Sequence, residues 1–235
     1  MLKLSRMSNG QPEIFTSIQG EGVSAGTPSV FVRLAHCSLR CTWCDTKYTW
    51  DWNHYDLALQ TMDLGIDEIV ARVERGAART VVVTGGEPML QTKGLAQLLP
   101  ELHQRGFRIE VETSGTILPL PDISGGVAQW NVSPKLTNSG NDLKTREVPA
   151  ALRWFAESPA AYFKFVVIDP DDLREVCDLV ERYRIPRSHV LLMPEGTDAE
   201  TLTRRSSWLV DRCTEYGFRF TTRLHILLWG DQRGR

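Results

Sequence analysis

Apolar and polar positions change period repeatedly along the chain, and each change marks an element. The runs Ser29-Val-Phe-Val-Arg33-Leu-Ala35 and Thr80-Val-Val-Val-Thr84 read as strands, the second with the composition of one buried on both faces. Between them Ile69, Val70 and Val73 fall at helical spacing behind Asp67, a candidate N-cap. Leu95, Leu98, Leu99 and Leu102 predict a helix closed near Gly106, with Pro100 able to kink it. Further strands are expected at 108–112, 127–132, 162–168, 190–193 and 218–222, with helices at 173–183 and 198–216. Six or seven strands alternating with helices predict an α/β fold, a parallel sheet or barrel with right-handed crossovers.

Several strands end in a short polar motif: Gly85-Gly86-Glu87-Pro88, Glu112-Thr113-Ser114, Ser133-Pro134-Lys135 and Met193-Pro194-Glu195-Gly196. Carboxyl ends of parallel strands lie on one face, so motifs distant in sequence converge on one rim. There Gly86 exposes backbone groups, Glu87 can accept from a ligand ammonium, and Ser133 and Lys135 can address hydroxyls or a carboxylate. Backbone around Met193 to Gly196 can edge a flat heterocycle, with Met193 packed on its ring. Upstream, Gln19-Gly20-Glu21-Gly22 places two glycines around a carboxylate, either a tight turn or a close approach to a ligand. Arg33 sits among apolar strand residues, where a guanidinium needs a carboxylate partner; an internal acid and a substrate both qualify, and a substrate carboxylate is expected.

The chain of 235 residues, 42% of them hydrophobic, is long enough for one sizeable core, and residues 1–235 are expected to form a single domain. A formal charge of −2 gives no electrostatic case for nucleic acid, and no apolar run reaches membrane-spanning length. A small-molecule substrate is the default.

Five cysteines narrow the chemistry. Cys177 shares helical spacing with Leu173, Val176 and Val180, and Cys213 continues a face with Leu202, Leu209 and Val210, so both are expected to be buried, inert thiols. Cys37, Cys41 and Cys44 are different: three thiolates at spacings of four and three can hold an iron cluster while leaving one iron open. A tetrahedral zinc site completed by His36 or by a distant residue is an alternative, but the second cysteine pair usual in such modules is missing. A ferredoxin would need a fourth cysteine, which Cys177 and Cys213 are poorly placed to supply. Disulfides fit neither the odd total nor the lack of an apolar signal segment, and a reducing cytoplasm is expected. None of the five histidines has metal-ligand spacing, and none is given a catalytic role. Thr46 offers a hard oxygen of the kind Mg2+ accepts, although a local turn hydrogen bond would account for it equally.

The CxxxCxxC spacing with Trp43 before the last cysteine resembles the radical S-adenosylmethionine (SAM) superfamily. Ile18-Gln19-Gly20-Glu21-Gly22, Phe31-Val32-Arg33-Leu34, the stretch 37–46, the stretch 84–88, Glu112-Thr113, Ser133-Pro134-Lys135 and the tail from Arg223 to Gly230 narrow the resemblance to the 7-carboxy-7-deazaguanine synthase family. That resemblance spans nearly the whole chain and implies an incomplete TIM-like β/α barrel with fewer helices than strands. It implies ring contraction of 6-carboxy-5,6,7,8-tetrahydropterin with loss of ammonia, in queuosine and related 7-deazapurine biosynthesis. A [4Fe–4S] cluster on Cys37, Cys41 and Cys44, SAM, and Mg2+ held by Thr46 are implied as cofactors. SAM would meet Trp43, Asp45, Gly86, Glu87, Ser133, Pro134, Lys135, Met193, Pro194, Glu195 and Gly196. The pterin would meet Ile18, Gln19, Gly20, Arg33, Thr84 and the carboxylate of Arg235. A homodimer and a reductant such as flavodoxin are further expectations from the family. His36 departs from the glycine more usual before the first cysteine, and the stretch 231–235 departs from shorter tails. A glycyl-radical activase shares the cysteine spacing, and a zinc-binding interaction module remains the non-enzymatic alternative.

Overall fold

In the computed structural model, which describes residues 1–235, ten strands build one sheet. They are β1 Leu2–Ser5, β2 Ile14–Ile18, β3 Pro28–Leu34, β4 Thr61–Leu64, β5 Thr80–Gly85, β6 Arg108–Thr113, β7 Gln129–Val132, β8 Ala161–Val167, β9 Val190–Pro194 and β10 Arg219–Phe220. Their spatial order is β10-β9-β8-β7-β6-β5-β3-β1-β4, with β2 paired to β3. From β3 through β10 every pairing along this path is parallel, as the strand–helix alternation predicts. β1, β2 and β4 are antiparallel additions that the periodicity reading did not find. They are short, and β2 lies half-buried with no clean alternation, which leaves little signal.

Five helices of nine or more residues cover the outer face: Ile66–Glu74, Thr92–Gln104, Pro149–Glu157, Pro170–Tyr183 and Ala199–Tyr216. The sheet therefore carries fewer long helices than strands and stays open between β10 and the β2/β4 side, an incomplete barrel. Asp67 lies inside the first turn of its helix, and Gly65 occupies the N-cap. Asp67 thus favours the helix through the dipole and not as a cap. The helix carrying Pro100 continues through it to Gln104, and Gly106 beyond it adopts φ +78°. The helix Pro149–Glu157 is not among those the apolar spacing predicts, although a proline at its first position is a recognised start signal.

The alternation within each parallel strand decides what faces inward. Val30, Val32, Leu34, Val81, Val83, Ile109, Val111, Trp130, Val132, Phe163 and Phe165 point outward into a core of 43 buried residues shared with the helices. The residues between them point into the barrel, and many are polar. Thr80–Thr84 is thus apolar on its helix-facing side and threonine-rich on the inner side. At depth, Glu110 is fully buried and accepts hydrogen bonds from Ser24, Gln129 and Asn131 at 2.7–3.2 Å. This satisfied network fills the inner barrel beneath the site.

Candidate active site

Inner-face positions of successive strands supply one wall of a cavity of about 460 Å³: Arg33 from β3, Thr84 from β5, Glu112 from β6, Asn131 from β7, Lys164 from β8 and Met193 from β9. Period-two alternation is the reason these residues, up to 160 positions apart in the numbering (Arg33 to Met193), share a single space. The loops beyond the strand ends add Cys37, Cys41, Trp43, Cys44, Asp45, Thr46, Gly86, Ser133, Lys135, Glu195 and Gly196. Ile18, Gln19 and Gly20 enter from the amino-terminal side, and Arg235 from the tail.

Three expected residues do not line the cavity. Pro134 and Pro194 are absent from its wall, and so is Glu87. The Glu87 carboxylate is fully buried and occupied: it accepts from Met89 N at 3.1 Å, Thr113 Oγ1 at 2.8 Å, and Ser114 N and Oγ at 2.7 and 2.5 Å. It ties β5 to β6, and its side chain is not free for a ligand ammonium. Arg33 also finds an internal partner, since its Nε donates to Glu13 Oε1 at 2.7 Å. Of the remaining thiols, Cys213 is buried as expected, but Cys177 is only partly covered, and Val210 is 41% exposed and off the face assigned to it.

Each of the three clustered cysteines receives one N–H donor. Leu39 N donates to Cys37 Sγ at 3.4 Å, Asn141 Nδ2 to Cys41 Sγ at 3.3 Å, and Trp50 Nε1 to Cys44 Sγ at 3.3 Å. Donors aimed at sulfur stabilise thiolate character and tune iron–sulfur centres. Burial pushes the Cys37 thiol up to about 12 and raises Cys41 above its ordinary value, so a bound cation would favour their thiolate forms. Three thiols that line one cavity, each with an N–H donor, fit an iron–sulfur cluster held by three cysteines.

The loop's backbone explains two neighbours. Gly85 and Gly86 pass so close to the end of β3 that an added Cβ would lie 2.0 Å from Leu34 O and 2.1 Å from His36 O. Only glycine lets β5 press against the cysteine loop. His36 adopts φ +72°, a left-handed conformation in which a glycine is the unstrained residue. Replacing His36 with Gly is therefore expected to raise stability by about 1 kcal/mol, read as a higher Tm. Loss of the edge-on contact with Trp52, ring centroids 5.5 Å apart, offsets part of that gain.

Lys164 carried no signal in the sequence, and the motifs that hold Glu21, Glu112, Arg223 and His225 gave no sign of what those side chains contact. Glu21 is paired with both Lys164 and Arg223, and Arg223 also reaches Asp45 and donates to Gly196 O at 2.7 Å. Burial would raise the Glu21 pKa, but Lys164 and Arg223 outweigh it and hold the carboxyl far below its ordinary range. Glu112 accepts from Thr84 Oγ1 at 2.7 Å and from Gln19 Nε2 at 3.2 Å. His225 lines the cavity, its ring so close to Gly20 that a Cβ there would meet Nδ1 at 2.0 Å. On the rim, Lys135 Nζ donates to Ser133 Oγ at 2.8 Å and lies 5.5 Å from the centre of the Trp43 ring. Thr46 lines the cavity, its hydroxyl 3.5 Å from the Cys44 sulfur.

An open parallel barrel with three cysteines on a loop after its first parallel strand defines a radical SAM protein, and residues 32–200 match the Radical SAM superfamily. The chain is 44% identical to 7-carboxy-7-deazaguanine synthase of Pyrobaculum aerophilum, over 95% of this chain and 96% of that one. It is 31% identical to the Bacillus cereus enzyme of the same name, over 94% and 97% of the two chains. The crystal structure of QueE from Escherichia coli superposes with a TM-score of 0.72 at 24% identity, covering 95% of this chain and 94% of that one. The chain belongs to the 7-carboxy-7-deazaguanine synthase family of radical SAM enzymes. Membership implies a [4Fe–4S] cluster and SAM, for which the three N–H-supported thiols are the fitting ligands.

Proposed function

We propose that this chain, acting as one catalytic domain over residues 1–235, converts 6-carboxy-5,6,7,8-tetrahydropterin to 7-carboxy-7-deazaguanine and ammonia, a carbon–nitrogen lyase step toward queuosine and related 7-deazapurines. The observation that carries this reading is that one cavity joins Cys37, Cys41 and Cys44 to Arg33, Thr46 and Glu112. When bound, the cluster supplies the electron that cleaves SAM to a carbon radical able to take hydrogen from the pterin.

The chain's own residues bind and orient. Cys37, Cys41 and Cys44 hold the cluster. Trp43, Asp45, Gly86, Ser133, Lys135 and the Met193–Gly196 stretch form the SAM side, and Glu87 supports it through the backbone it braces. Ile18, Gln19, Gly20, Thr84 and Glu112 face the pterin, and Arg33 takes its carboxylate. Thr46 holds Mg2+ against that carboxylate, where a hard hydroxyl oxygen suits the ion. Arg235 closes the cavity from the tail. A homodimer and an external reductant such as flavodoxin complete the proposal. A cytoplasmic setting accords with five unpaired thiols, and no helix is long and apolar enough to cross a membrane.

The test is anaerobic reconstitution followed by reduction with SAM, Mg2+ and the carboxytetrahydropterin. Appearance of the deazaguanine chromophore with SAM regenerated supports the reading. SAM cleavage without that product, or iron-free protein that holds zinc, sinks it.

A further inference from the structure

The tail carries an arginine whose contacts reach well beyond it. Arg233 Nε and Nη2 lie 2.9 and 2.8 Å from Glu13 Oε2, Nη1 donates to Gln60 Oε1 at 3.1 Å, and Nη2 also donates to Arg6 O at 2.7 Å. Its guanidinium carbon lies 3.6 Å from the centre of the Tyr48 ring. Glu13 is fully buried, and its other oxygen accepts from Arg33 Nε at 2.7 Å and Tyr48 Oη at 3.0 Å. One carboxylate thus sits between two guanidiniums.

We propose that Arg233 is a positioning residue that converts the Glu13–Arg33 ion pair into a cationic pocket selecting a carboxylate on the substrate. The identity of that substrate rests on the pterin-acid reading above; the charge argument does not. Glu13 and Arg33 alone form a neutral pair with no electrostatic need of a ligand. With Arg233 added, these three side chains carry a net charge of about +1 at the cavity wall, which favours an anionic ligand there. The two arginines are not equivalent. Every nitrogen of Arg233 is engaged by protein, whereas Arg33 uses Nε alone, and its Nη atoms have no protein partner. Arg33 lines the cavity with its side chain 17% exposed, so its terminal nitrogens are the ones an anion can reach. Asp45, the other carboxylate near Arg33, is taken up by Arg223. On the tail itself Asp231 and Arg235, the latter with both its guanidinium and its carboxylate, are exposed, so solvent screens their charges from the buried group. Burial works against the Glu13 charge, but Arg33 and Arg233 outweigh it and keep the carboxyl ionised below its usual range.

The test compares binding of pterin-6-carboxylate with binding of pterin lacking the carboxylate, by fluorescence titration of the reconstituted protein. Wild type is expected to prefer the carboxylate. Arg233→Gln should lower that preference by about tenfold with the affinity for plain pterin unchanged, and Arg233→Lys should restore most of it. Under turnover the same loss should fall on KM more than on kcat. Equal weakening of both ligands would make Arg233 a roof support only and overturn the inference, as would an unchanged preference or no preference in wild type. A wild-type protein that prefers the carboxylate through Arg233 but makes no deazaguanine would leave the inference standing and remove the proposed reaction.

Discussion

Cys41→Ala is expected to abolish reductive SAM cleavage, with activity falling below detection, while Cys177→Ala retains turnover close to wild type. Cys41 is 7% exposed on the cavity wall, and Asn141 Nδ2 is aimed at its sulfur from 3.3 Å. With it gone, two sulfurs remain on that wall, and the donor geometry built by the segment around Asn141 has no acceptor. That segment is itself well anchored, since Asn141 Oδ1 accepts from Arg40 N at 2.7 Å and Thr42 N donates to Ser139 O at 3.0 Å. The loop should therefore stay folded in the variant, and the loss should be one of cluster and not of structure. Cys177 lies on the helix Pro170–Tyr183, packs on the outer core and does not line the cavity. Its truncation removes one sulfur from a partly covered site and should cost about 1 kcal/mol of stability or less. Iron content, the cluster's absorption spectrum and SAM cleavage under reductant, measured side by side, decide the matter. Comparable losses in the two variants would show that the five thiols are wrongly divided.

How legible this was in the sequence depends on which face of a strand is considered. The outward residues of β5, β6 and β8 are apolar and gave the parallel sheet its signal. Of their inward partners, Thr84 and Glu112 stood out only because they sit at strand ends, whereas Lys164, deeper in its strand, looks like routine polar alternation, and nothing local tells a solvent-facing position from one lining a cavity. The motifs at strand ends were readable because glycine, proline and clustered polar residues punctuate the pattern. Gly85 and Gly86 bear this out with close backbone approaches that exclude any side chain.

What stayed hidden is the pairing of charges across large separations. Glu13 and Arg233 are 220 positions apart, and Glu21 and Arg223 are 202. Arg33 needed a carboxylate, and the sequence pointed to the substrate. In the fold, Glu13 comes first and leaves the outer nitrogens of the same guanidinium for a ligand. His36 is the opposite case: its departure from glycine was visible in the sequence, and its physical meaning, a left-handed φ, emerges only from the backbone. Glu87 shows why a motif does not by itself assign a side chain, since its four donors are all supplied by the protein.

Glu21→Ala should be the most destabilising single substitution in the cavity, by about 3–5 kcal/mol, because it leaves buried cations without their counter-charge. Lys164 and Arg223 are each 9% exposed at the side chain, and both pair with Glu21. They do not suffer equally. Arg223 retains Asp45 and the Gly196 carbonyl, whereas Glu21 is the only acidic group with which Lys164 forms an ion pair. Replacing Glu21 and Lys164 together by apolar residues should therefore recover much of the loss, which a double-mutant cycle of thermal or urea melts can measure. The pH dependence has a defined sign. Glu21 is held far below its ordinary value of 4.5, so its stabilising contribution is complete above about that pH and is lost as pH falls toward the lowered folded value. The gap between wild type and Glu21→Ala should stay constant across the neutral range and narrow only in acid. A gap that closed on the alkaline side instead would mean that Lys164, and not the carboxylate, sets the energetics of the pair.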